Sequence, residues 1–124
     1  WGWCIGEDYR PLLFNIFGDM FYAGVSGAVY WLDIGRGKKE QIAENEAGFK
    51  ALLNTGRAEN WFLPGLVKAL YQAGKVPQAG ECYCFHILPI FAEGKYTPSN
   101  LVPRSGVTTY QFSGQIHRQI ALGA

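Results

Sequence analysis

Cys82, Cys84 and His86 are the residues whose types and spacing come nearest to a chemical site. In the run Cys82-Tyr83-Cys84-Phe85-His86 they alternate with aromatic residues. On a β-strand they would therefore share one face, with Tyr83, Phe85 and Ile87 on the other. Thiolate and imidazole suit zinc, and Cys4 or His117 would have to supply a fourth ligand. The spacing argues against a metal. Structural zinc sites pair their cysteines across a short turn, whereas a single residue separates Cys82 from Cys84. Free cysteine is also among the most buried residue types. The preferred reading is a central strand packed under helices, with no metal and no cofactor.

Other catalytic arrangements are weaker still. A cysteine nucleophile needs a base and a group that orients the base. The chain offers Cys82 or Cys84 with His86 or His117, and nothing nearby that lowers a thiol pKa. Ser26 and Ser113 neighbour glycines without forming a nucleophile elbow. Gly35 and Gly37 lack the strand-to-helix setting of a phosphate-binding loop. The acidic pairs Glu7–Asp8 and Glu44–Glu46 read as loop and helix-start charges. No residue is assigned a catalytic role, and the chain is expected not to be an enzyme.

The elements that would position these residues follow from periodicity. Met20–Tyr22 and Ala28–Leu32 flank a Gly/Ser loop and read as a hairpin, with Lys39–Glu44 as a further strand. The first third is thus an antiparallel meander. Asn45 is a candidate N-cap, and Phe49, Leu52 and Leu53 fall on one helical face before Gly56. A second helix begins at Pro64, carries Leu66, Val67 and Leu70, and closes at Gly74. Trp61 just before it is an anchor for the core. Glu81–Leu88 reads as a strand bounded by Pro89, and Asn100–Val102 as a short extended piece. From about Thr108, Phe112, Ile116 and Ile120 recur every four residues, predicting a C-terminal helix interrupted near Gly114. The fold class expected is α+β: a meander sheet against two central helices and a C-terminal helix, in one domain over residues 1–124.

Composition narrows the functional classes. The 124 residues hold four Trp, seven Tyr and eight Phe, which excludes disorder. Eleven basic and ten acidic residues give a charge of +1, unlike the concentrated positive charge of a nucleic-acid binder. The local basic cluster Arg36, Lys38 and Lys39 reads as a solvated turn. No apolar stretch is long enough to span a bilayer, so no membrane partner is expected. Three cysteines without a disulfide spacing indicate reduced thiols and a cytoplasmic setting. Trp1 in place of an initiator Met reads as the start of a trimmed product.

Several blocks occur together in a familiar order. Phe17-Gly18-Asp19-Met20-Phe21 and Gly27-Ala28-Val29-Tyr30-Trp31-Leu32-Asp33 are followed by Trp61-Phe62-Leu63-Pro64-Gly65-Leu66-Val67 and Gly80-Glu81-Cys82-Tyr83. Tyr96-Thr97-Pro98-Ser99-Asn100 and Gly114-Gln115-Ile116-His117-Arg118-Gln119 complete the set. From about Trp3 to Ile120 the chain resembles a bacterial family long catalogued as a domain of unknown function. That family is described as the C-terminal domain of the type VI secretion immunity protein Tdi. Cys84 and His86 depart from the glycine and lysine expected there. The resemblance implies an α+β fold akin to SMI1/KNR4-like immunity proteins, and a role in neutralising a toxin, which for the named member is a DNase.

An inhibitor of a basic nuclease would present acidic groups. Asp8, Asp19, Asp33, Glu40, Glu44, Glu46 and Glu59 are the available carboxylates, some of which are expected to converge on one exposed face. Asp33, Glu40, Glu44 and Glu46 are the acidic candidates for partner contact, with Gln115, Arg118 and Gln119 on the C-terminal helix as polar ones. The rival readings are a small-molecule or metal-binding domain centred on Cys82, Cys84 and His86, and an oligomerising domain. The sequence leaves the oligomeric state open.

Overall fold

The computed structural model describes residues 1–123. β1 (Tyr9–Phe14), β2 (Met20–Gly24), β3 (Val29–Asp33) and β4 (Lys38–Ala43) form an antiparallel sheet in chain order, the anticipated meander. The register pairs Met20 with Leu32 and Tyr22 with Tyr30. An irregularity between Pro11 and Leu13 interrupts the ladder of the edge strand, where proline has no N–H to donate.

Side chains alternate across a strand, so the unbroken apolar run of β2 needs cover on both faces. On one face Phe21, Val29 and Ile42 meet Phe49 of α2 (Glu46–Leu52) and Trp61 of α3 (Glu59–Phe62). On the other, Met20, Tyr22, Leu32 and Ile34 lie under Trp1, Cys4 and Ile5 around α1 (Gly2–Ile5), and under Tyr110 of α5 (Gly106–Ala121). A third cluster of Phe17, Leu70, Tyr83 and Leu101 joins the β1–β2 turn to α4 (Pro64–Gln72) and a second sheet. That sheet is an antiparallel pair, β5 (Glu81–Phe85) and β6 (Leu101–Ser105). Phe21, Leu32 and Leu70 are wholly buried. Each such side chain contributes about 1.5–3 kcal/mol on leaving water.

Local signals set several boundaries. Asn45 Oδ1 accepts the Gly48 N–H at 2.8 Å and opens α2, with Glu46 in its first turn. Pro64 starts α4, where its missing N–H is harmless. Other expectations need correction. α2 ends at Leu52, and Gly56 opens a 3-10 turn (Gly56–Ala58) leading into α3. β5 stops at Phe85, short of Leu88, because the Asn100 side chain captures the next peptides. It accepts the Ile87 N–H and donates to the carbonyls of Ile87 and Lys95, each at 2.9 Å.

α5 runs unbroken through Gly114, with Thr109, Ser113, Gly114 and His117 as its buried residues. Phe112 and Ile120, whose four-residue spacing predicted the helix, are 61% and 37% exposed. Small residues line the packed side because the approach is close. A Cβ on Gly114 would sit 3.1 Å from the Trp1 ring.

Gly37 makes the same point at the β3–β4 turn. Its φ is +71°, and a Cβ there would overlap the His117 ring. Gly27 has φ +90° but open space around it. Gly27→Ala is expected to cost about 1 kcal/mol from backbone strain alone. Gly37→Ala should cost about 2 kcal/mol more, because the ring must move. Urea unfolding of both variants checks this, and equal losses would contradict the packing.

Candidate functional site

The three candidate metal ligands differ in their surroundings. Cys82 is buried, Cys84 is half-buried, and His86 lies on the surface beyond the end of β5. Among the described residues no group of three His, Cys, Asp or Glu is placed to hold a metal ion. Burial pushes the Cys82 thiol up to about 11, opposite to the direction that makes a cysteine nucleophilic. His117 is engaged elsewhere, with Nε2 2.9 Å from the Ile34 carbonyl oxygen. A carbonyl only accepts, so Nε2 carries the proton.

The acidic candidates separate into two groups. Glu40, Glu44 and Glu59 are exposed, as are Gln115, Arg118 and Gln119 on α5. Glu46 is ion-paired with Arg10. Asp19 and Asp33, expected among the surface carboxylates, are only 7% and 6% exposed. Both belong to turns that fold inward. Asp33 Oδ1 accepts the N–H groups of Gly35 and Arg36 at 3.1 and 3.2 Å, closing the β3–β4 turn on itself.

Asp19 is held from three directions. Its Oδ1 accepts the Ile34 N–H at 3.0 Å, and Oδ2 accepts from Asn15 Nδ2 at 3.0 Å and Trp31 Nε1 at 3.1 Å. Asn15 extends the network. Its Oδ1 accepts the Phe17 and Asp19 N–H groups at 3.0 and 2.9 Å, and its Nδ2 also donates to the Trp61 carbonyl at 2.9 Å. The Ile34 peptide continues the line on the far side, since its carbonyl receives His117. A chain of hydrogen bonds thus crosses the molecule from α3, through the β1–β2 turn, to α5.

Next to this network lies a cavity of about 100 Å³. Asp19 is its innermost charged group, and half-exposed Arg36 stands at its mouth. Trp31 of β3, Trp61 of α3, Phe85 of β5 and Tyr96 supply flat aromatic walls. The Phe85 and Tyr96 rings meet edge to face with centroids 5.2 Å apart, and Arg36 Cζ lies 5.2 Å from the Tyr96 centroid. Leu63, also on the wall, has φ +47° and ψ +59°. It is the one non-glycine residue with positive φ among the described residues. Such strain, about 1–3 kcal/mol, tends to collect at binding sites. Here it lets the chain reverse between α3 and α4 while Trp61 and Leu63 both reach the cavity.

The sequence named Trp61 as an anchor and Asp19 and Asp33 as carboxylates, but nothing in it joined them to Arg36 and Tyr96. The clue was that the β1–β2 turn, Asn15 to Asp19, contains Ile16 and Phe17, which are costly to leave in a solvated loop.

Residues 43–117, more than half of the chain, match the family described as T6SS immunity protein Tdi1, C-terminal. The match begins at the last residue of β4 and runs through most of α5, a narrower span than the blocks quoted from the sequence. No curated protein matches the chain. No helix among the described residues is long and apolar enough to cross a membrane.

Burial and the nearby Asp33 carboxylate raise the Asp19 carboxyl to about 7, while its three N–H donors pull the other way. Burial raises Asp33 as well. Both carboxyls hold their protons more tightly folded than unfolded. Their contribution is therefore full below the unfolded value near pH 4 and is lost as pH rises through the folded value. Stability should fall between pH 4 and about 7, read as a declining urea midpoint. In Asp19→Asn that decline should shrink; an unchanged decline would contradict the assignment.

Proposed function

Since the chain belongs to the family of the T6SS immunity protein Tdi1, as represented by that protein's C-terminal region, we propose that it neutralises a cognate toxin by binding it and that the toxin is a nuclease. The family match carries this reading. An inhibitor of this kind works by occupying a surface and needs no reaction of its own. Burial drives the Cys82 thiol away from ionisation, and His117 is tied to a backbone carbonyl.

The partner is a protein, and nucleic acid and membrane are not partners in this reading. The near-balanced charge of +1 lacks the excess that phosphate contacts demand. Nuclease surfaces that hold DNA are basic, so exposed carboxylates are the natural complement. Glu40 and Glu44, on β4 and just beyond it, and Glu59 at the start of α3 make no ion pair among the described residues, unlike Glu46 and Asp33. Gln115, Arg118 and Gln119 offer a polar helix face as a second contact region. A nuclease target places the action in the cytoplasm.

Co-expression with nuclease effectors encoded beside the gene tests the proposal. Growth should be restored with one effector, the chromosome should stay intact, and the two proteins should co-elute as a complex. Reversing Glu40 and Glu44 together to Lys should weaken that complex roughly tenfold, chiefly by slowing association. Failure to rescue growth against any neighbouring effector would contradict the proposal.

A further inference from the structure

Asp19 is a buried carboxylate with no cationic partner among the described residues. Its three donors are all neutral N–H groups: an amide side chain, an indole and a peptide. Arg36, the nearest cation in the cavity wall, already lies 3.8 Å from Asp33 Oδ2 and over the Tyr96 ring. A carboxylate offers about four acceptor positions. Three are used, and the remaining capacity lies beside an open cavity of about 100 Å³. That space exceeds the 10–15 Å³ or so needed for one water and suits the end of a side chain.

The walls narrow the choice of occupant. Trp31, Trp61, Phe85 and Tyr96 present aromatic surfaces, which attract cations over their faces. An anion would meet the Asp19 carboxylate with only a pre-engaged Arg36 to offset it. A planar, weakly hydrated guanidinium stacks on such rings and needs only one of its N–H groups to reach the position left open on Asp19 Oδ1, whereas an ammonium is compact and strongly hydrated. Arg36 on Tyr96 is an example of that contact at the mouth of the same cavity.

We propose that this cavity is a receptor for a guanidinium group, the tip of an arginine side chain from the bound partner, with Asp19 as its counter-charge. That the arginine comes from a toxin rests on the immunity reading. The ligand chemistry does not. An arginine tip seated in an aromatic pocket over a buried carboxylate is the kind of anchor that dominates binding energy in protein interfaces.

The test uses methylguanidinium chloride as the probe at about pH 8, above the value near 7 to which burial raises Asp19, followed by amide and indole NMR shifts against sodium chloride of equal ionic strength. Saturable shifts should appear at Trp31, Trp61 and Tyr96, with a Kd of about 1–10 mM for so small a ligand. Methylammonium should bind at least roughly fivefold more weakly, given its stronger hydration. Sodium acetate should give no saturable shift there. Asp19→Asn should abolish binding. Because that variant disturbs the core, Asn60→Trp provides a second block, since exposed Asn60 lines the cavity and a large ring there fills its mouth. Arg36→Ala should tighten the probe by removing the competing cation. Absence of saturation, acetate binding in its place, weaker binding in Arg36→Ala, or unchanged binding in folded Asn60→Trp would each overturn the assignment. None of these readouts involves a toxin, so the pocket and the immunity role fail separately.

Discussion

A carboxylate taken out of water must recover its hydrogen bonds from the protein, and Asp19 recovers them from three separate parts of the fold. An isolated buried charge would cost tens of kcal/mol in a dry interior, and each unmet partner about 1–3 kcal/mol. The requirement fixes geometry. The β1–β2 turn has to bring Asn15 alongside, β3 has to present the Trp31 indole, and the β3–β4 turn has to present the Ile34 peptide. Asn15 and Ile34 pass the constraint outward, to the Trp61 carbonyl on one side and His117 on the other. Apolar packing of three clusters supplies most of the driving force, but it is non-directional. The polar line gives that packing its registration.

The cavity is a by-product of the same arrangement. Trp31 and Trp61 are held by bonds to the network, one through its indole and the other through its backbone, so their rings stand at fixed places around Asp19. Leu63 accepts a left-handed backbone so that α3 and α4 can meet there. Nearby, Arg36 is held by Asp33 and Tyr96 rather than by Asp19. The interior therefore holds one charge matched by a cation and one that is not. The cavity thus holds a buried carboxyl with no cationic partner among the described residues.

How much of this could be read beforehand depends on the range of the forces involved. Asn45 and Pro64 mark helix starts through contacts within one turn, and both stand where local chemistry puts them. The meander follows from apolar runs separated by glycine turns. What was not legible depends on distant partners. Gly18-Asp19 has the composition of a surface turn, and its burial is decided by a carbonyl at Trp61 and an indole at Trp31. The four-residue spacing of Phe112, Ile116 and Ile120 suggested an apolar helix face. The close approach of Trp1 and Gly37 instead favours Gly114 and His117 on the packed side. Likewise β5 ends where Asn100, fifteen residues beyond Phe85, captures the peptide of Ile87.

Native-state hydrogen exchange measures the dependence on Asp19 most directly. The Ile34 amide proton and the Trp31 indole proton, both bonded to that carboxylate, should exchange only through global unfolding, with the same free energy as the Phe21 and Tyr83 amides of the core. Exchange of Ile34 and Trp31 through a lower-energy local opening, with the core still protected, would contradict the account.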